Sequence, residues 1–156
     1  MRLVRVSGLF LALFAFSHAE LASAQTVPRA EASSRPEAQC DQASSQAETF
    51  SCYFELAATS RAEVQRAFDR SLESAIARDR EFKAYPHARD MPSASLVERL
   101  KRSQTAWLQY SEAQCGLEGE TSFGGSGTDI LNAACRYRMN SNRLEELEAA
   151  RQLLER

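Results

Sequence analysis

The sequence is poor in histidine, because only His18 and His87 are of this type among its 156 residues. His18 lies in an N-terminal apolar segment, so a single histidine remains for the rest of the chain. One histidine cannot form a multi-histidine metal site, and no two cysteines have the CxxC spacing of zinc ligands. We therefore predict neither a metal nor another cofactor.

A catalytic nucleophile is also missing. Ser126 lies in the segment GGSG, but the elbow pattern G-x-S-x-G requires glycine where the chain has Thr128, and no strand-like pattern precedes it. We interpret Ser126 as a turn residue beside the flexible Gly124 and Gly125. The acidic residues near the C-terminus alternate with arginines, as on a solvated helix face. The sequence thus predicts no catalytic residue and a protein that is not an enzyme.

There is no excess of basic residues, since the formal net charge is −2. Nucleic acids and anionic membrane surfaces bind clustered basic faces, so neither is predicted as a partner. The mild acidity suits a cationic protein partner instead.

Long apolar runs are absent too. The one run, at 6–16, is shorter than the roughly 20 residues that span a bilayer, so a retained membrane helix is the weaker interpretation. Arg2 and Arg5 precede it, and the small residues Ala22 and Ala24 follow in a cleavage-site pattern. We predict a signal peptide at 1–24 and a periplasmic or secreted mature protein without membrane insertion.

Residues 25–39 are rich in Pro, Ser, Ala and charge, which predicts a disordered lead-in. The ordered domain is predicted at 40–156. There, Ser45, Ser60 and Ser95 are each followed three residues later by Glu, the form of a helix N-terminal capping box. They predict a short helix, a long helix ending near Tyr85, and a second long helix.

A third long helix is predicted from about Thr128, after a loop at 116–128 that holds five of the six glycines. No strand-like alternation is present. The pattern predicts an all-α fold, a small disulfide-stapled antiparallel helical bundle of three long helices and one short helix. Glu118 and Glu120 place negative charge beside the loop, either as ordinary solubilising charge or as a docking surface for a basic partner.

Four cysteines follow the predicted cleavage site, where an oxidising compartment favours disulfide bonds. Three pairings are possible, and the sequence excludes none of them. We favour Cys40 with Cys52, and Cys115 with Cys135, because both bridges are local. Each would contribute on the order of 3 kcal/mol to stability.

Trp107 lies on the periodic face of the second long helix together with Leu96, Leu100 and Tyr110. This position predicts a core residue, and the alternative is an exposed anchor in a protein interface.

A recurring pattern is formed by thirteen positions: Cys40, Gln46, Glu48, Cys52, Gln104, Trp107, Tyr110, Cys115, Gly124, Gly125, Ser126, Cys135 and Arg143. Taken together, these positions resemble the LprI-like lysozyme inhibitor domain of exported bacterial proteins. The resemblance covers about 40–150. Three positions depart from it: Ser111 stands for a usual Arg, Asn140 for a common Thr, and Phe68–Asp69 for Leu-Asn. A serine hydroxyl cannot organise several carbonyls as a guanidinium can.

The resemblance implies an exported inhibitor whose partner is a lysozyme. Our hypothesis is that the glycine loop, mounted on the Cys115–Cys135 bridge, enters or covers the cleft of a cationic lysozyme. The proposed binding residues are Glu118, Glu120, Gly124, Gly125 and Ser126. The alternative is a periplasmic interaction or envelope-stress module that binds another protein through its helical faces.

Overall fold

The computed structural model describes residues 36–88 and 95–156. These ranges contain four α-helices and no strand, which confirms the predicted all-α class. The predicted signal peptide and most of the predicted lead-in lie outside the described residues, but positions 36–39 are helical. The helices are α1 (Pro36–Cys40), α2 (Gln46–Ala84), α3 (Leu96–Glu120) and α4 (Ser126–Leu154).

The prediction of a helix start at Ser60 was wrong, because α2 runs without a break through this position for 39 residues. Ser60 is buried inside the helix, where its hydroxyl donates to the Ala57 carbonyl and accepts a hydrogen bond from Asn140. The Ser60 hydroxyl therefore bonds within α2 and to α4, and it does not cap a helix N-terminus. The one short helix is α1 instead.

The other two predicted caps are confirmed. Ser45 and Ser95 precede α2 and α3, and their hydroxyls accept from the amides of Glu48 and Glu98. α2 ends at Ala84, directly before Tyr85 and the proline that follows it.

Successive long helices are antiparallel. Ser126 at the start of α4 contacts Gln46 at the start of α2, and farther along Ser71 of α2 contacts Leu147 of α4, so these two helices are parallel. α3 runs the opposite way between their ends. Small buried residues such as Ala67 and Ser71 lie where α2 packs against α4.

The core is thin and partly polar. Its central cluster joins Val64 and Ala67 of α2 to Leu147 of α4, with Trp107 packed against it. Tyr110, predicted on the same buried face as Trp107, is 59% exposed, so this part of the prediction was wrong. α3 buries a narrower face than its sequence periodicity indicates.

Cys40 and Cys52 form the disulfide bond that holds α1 against α2, with their Cα atoms 5.4 Å apart. Next to it the Tyr53 hydroxyl donates to Asp41 at 2.6 Å. Burial, followed by this hydrogen bond to an anion, raises the pKa of Tyr53 above its ordinary value.

The bond between Cys40 and Cys52 confirms the pairing that we favoured for these two cysteines.

A carboxylate from α2 caps the start of α3. Asp79 accepts the amide of Leu96 at 2.9 Å, the amide of Val97 at 3.3 Å and the hydroxyl of Ser95 at 2.6 Å. Burial opposes ionisation of this carboxyl, but the three hydrogen bonds outweigh it and hold the pKa of Asp79 below its ordinary value. The cap joins two helices that residues 85–95 connect, and of these residues 89–94 lie outside the described ranges.

We expect Asp79→Ala to destabilise the protein by about 1–2 kcal/mol at neutral pH, since three donors at a helix N-terminus lose their acceptor. Because the pKa of Asp79 is lower in the folded chain, its contribution is complete above the unfolded pKa of about 4 and disappears as pH falls through the folded value. Urea unfolding at both pH ranges measures this. Asp69→Ala, which removes an acceptor used only within α2, is the control. An equal effect of both substitutions would contradict the role of the cap.

Candidate functional site

The turn between α3 and α4 is shorter than predicted. α3 continues to Glu120 and α4 begins at Ser126, so only residues 121–125 connect them. Gly119 is helical, and a Cβ atom there would lie 3.1 Å from the Thr128 carbonyl oxygen. The absence of a side chain at Gly119 therefore allows the ends of α3 and α4 to approach closely. The number of glycines in the sequence does not distinguish this packing role from the backbone flexibility expected of a loop.

The backbone of the turn is left-handed over three consecutive residues. The φ angles are 56° at Phe123, 92° at Gly124 and 82° at Gly125. Glycine adopts this region at little cost, whereas phenylalanine does so rarely. The geometry turns the Phe123 side chain outward, where it is 99% exposed.

Both ends of the turn are fixed. Cys115 and Cys135 form a buried disulfide with a Cα separation of 5.4 Å, which confirms the second favoured pairing. The Ser122 hydroxyl lies 2.8 Å from that of Thr128, across the turn. The amide of Phe123 donates to the Glu120 carbonyl at 3.0 Å. The turn is thus attached by a covalent bond and by local hydrogen bonds.

The predicted binding residues occupy different environments. Glu118 lies on α3 and forms an ion pair with Arg138 at 2.6 Å. Hydrogen bonds from Gln114 and then from Arg138 lower the pKa of Glu118. Glu120 is exposed at the end of α3. Ser126 is the first residue of α4, and its hydroxyl donates to Gln46 at 2.7 Å. Phe123 was not among the predicted binding residues. The feature of the sequence that could have indicated it is an aromatic residue directly before two glycines.

Gln104, Trp107 and Arg143, which are among the positions that carry the family resemblance, meet between α3 and α4. Arg143, only 6% exposed, donates from Nε to Gln104 and from a terminal nitrogen to Ser103, both at 3.0 Å. Its guanidinium carbon lies 5.7 Å from the centroid of the Trp107 ring. These contacts join α3 to α4, while Tyr110 points away from them into solvent.

Trp107 packs against both the central cluster and the Cys115–Cys135 cluster, which confirms the core interpretation. The ring is only half-buried, since it also borders a groove of about 750 Å³ between α2, α3 and α4.

The family model "Lysozyme inhibitor LprI" matches residues 37–147. The chain belongs to the LprI family. It is similar to the uncharacterized protein R02472 of Rhizobium meliloti (strain 1021), with 29% identity over 114 residues that cover 73% of this chain and 79% of that protein. No solved structure matches the chain.

Membership of the LprI family supports a lysozyme inhibitor-like function in general, with lysozyme as a protein partner. Together with the two disulfide bonds it also indicates an exported protein. Within residues 36–88 and 95–156 no group of acidic, histidine and cysteine side chains is arranged to hold a metal ion. None of the helices described has the length and apolarity needed to cross a membrane.

We expect Arg143→Met to destabilise this LprI protein by about 2–4 kcal/mol, because the buried Gln104 carbonyl loses its donor and Trp107 loses the stacked cation. Thermal and urea unfolding measure the effect. The matched control is Arg138→Met, which breaks an exposed ion pair and should change stability by less than about 1 kcal/mol. Equal losses in the two variants would show that the buried network has no special role.

Proposed function

We propose that this LprI protein inhibits a lysozyme by seating the turn 121–125 in the active-site cleft. The observation that supports this most strongly is Phe123, an aromatic side chain that is almost completely exposed in the turn between two disulfide-linked helices. The next two residues, Gly124 and Gly125, have no side chains that would widen the turn. A narrow projection of this kind fits a concave site on a partner.

The energetics favour such a contact. Burial of an exposed phenylalanine contributes about 2–3 kcal/mol. A flexible loop would lose much of this gain through ordering, whereas a turn held by Cys115–Cys135 loses little conformational entropy on docking. The left-handed backbone at Phe123 supports the same interpretation, because uncommon conformations of non-glycine residues concentrate at functional sites.

Charge would add steering. Glu120 and Asp129, on the helix ends beside the turn, are both exposed, and a cationic lysozyme would be attracted by them over a Debye length of about 10 Å. Glu118, which we also included in the binding surface, is paired with Arg138 and so contributes less net charge. We therefore assign the electrostatic attraction of the lysozyme chiefly to Glu120 and Asp129.

The second candidate is a periplasmic interaction or envelope-stress module that binds another protein through its helical faces. The groove beside Trp107 favours it, because Phe54 in the groove is 58% exposed. In that case the turn would serve only as a connection, and substitutions within it would leave partner binding unchanged.

The direct test is a turbidity assay of lysozyme with purified mature protein at several-fold molar excess, in low and moderate salt. We expect lysis to slow, and Phe123→Ala to raise the inhibition constant at least tenfold through the loss of apolar burial. Leu153→Ala is the control, since Leu153 is also a largely exposed apolar residue but lies at the far end of α4. No slowing of lysis, or equal inhibition by both variants, would remove the proposal.

The two disulfide bonds provide a second comparison. Replacing Cys115 and Cys135 by alanine, or Cys40 and Cys52 by alanine, should destabilise the protein by about 3 kcal/mol in each case, since they close loops of 20 and 12 residues. Only the first pair supports the turn. At a temperature where both variants remain folded by circular dichroism, we expect inhibition to weaken in the Cys115/Cys135 variant alone. Similar inhibition by the two variants would contradict a covalently presented turn.

A further inference from the structure

A groove of about 750 Å³ lies along the side of the bundle, and none of the turn residues 121–125 lines it. α2 and α3 form its walls and α4 lines it between them. Two small buried residues, Ser111 of α3 and Ala133 of α4, line it and leave the space open. Larger side chains, among them Phe54, Trp107 and Leu108, line the rest of the groove.

The walls of the groove are apolar. Phe54 of α2 is 58% exposed and Leu108 of α3 is 40% exposed, although both border a concavity that also reaches Trp107. Apolar and aromatic walls around a few polar groups are the usual composition of a ligand site of this volume.

The groove also contains two positive and two negative side chains. Arg61 and Arg136 line it together with Glu112 and Asp129. None of the ion pairs found in the described residues involves any of the four. The net charge of the lining is therefore zero, with charges of both signs open to a ligand.

Two of these charged side chains share one face of α4. Asp129 and Arg136 are seven residues apart along the helix, which is two helical turns. Arg136 is also oriented, because its Nε donates to Asn132 Oδ1 at 2.7 Å and leaves the terminal amino groups for another acceptor. Those amino groups suit a carboxylate, which binds arginine in a bidentate manner.

We propose that the groove binds a short free peptide of apolar residues in an extended conformation. Its terminal carboxylate pairs with Arg136 and Arg61, and its terminal ammonium pairs with Asp129. The apolar side chains of the peptide cover Phe54, Leu108 and the exposed edge of Trp107. A simple apolar anion fits less well, because Glu112 and Asp129 repel it.

The chain contains one tryptophan, so the fluorescence of Trp107 reports directly on the groove. We expect trileucine to change this emission saturably, with the same affinity measured by isothermal titration calorimetry. N-acetyl-trileucine amide has the same side chains without the terminal charges and should bind at least about tenfold more weakly, because its charge-assisted hydrogen bonds are lost. Dodecanoate tests the apolar-anion alternative.

Variants locate the site. Arg136→Met should weaken trileucine binding about tenfold or more, and Ser111→Leu should abolish it by filling the groove. Arg138→Met, two residues along α4 and outside the groove, should leave it unchanged, as should Phe123→Ala in the turn. Circular dichroism confirms that each variant is folded. No calorimetric binding of trileucine, equal binding of its blocked form, tighter binding of dodecanoate, or an unchanged affinity in the Arg136 variant would each overturn the proposal.

Discussion

The bond between Cys115 and Cys135 is the constraint on which the rest of the structure depends. It joins α3 to α4 five residues before α3 ends and nine residues after α4 begins, and this limits the separation of the two helix ends that residues 121–125 connect. The connection has positive φ angles at three consecutive residues, and two of them are glycines. Phe123, the third, is 99% exposed. The disulfide bond thus links the two helices that carry an exposed aromatic side chain between them.

Polar contacts and disulfide bonds supplement a core that is small for a bundle of this length. Arg143 joins the middle of α3 to α4 through Gln104 and Trp107, while Asp79 joins the N-terminal end of α3 to α2. Both rely on directional hydrogen bonds, which specify the relative position of helices more narrowly than apolar contact does. Together with the disulfide bond near its C-terminal end, these contacts hold α3 without burying a wide apolar face, and the groove borders its middle section.

Local features of the sequence predicted most of the helices and both disulfide bonds. Helix caps at Ser45 and Ser95 and bridges between nearby cysteines depend on interactions within a short segment of the chain. They could therefore be predicted without knowledge of how the helices pack. Ser60 has the same capping pattern, but packing against Asn140 overrode it. The exposure of Phe123 and the convergence of Arg61, Arg136 and Asp129 in one groove depend on the register between helices, which no local pattern contains.

Amide hydrogen exchange with and without an equimolar lysozyme tests the central claim most directly, because it maps contact along the whole backbone. The account predicts that protection on binding is largest at residues 121–128 and at the adjoining ends of α3 and α4, with little change in the groove walls. Protection confined to the groove residues of α2 and α3, or no protection in the presence of an enzyme that is inhibited, would contradict it.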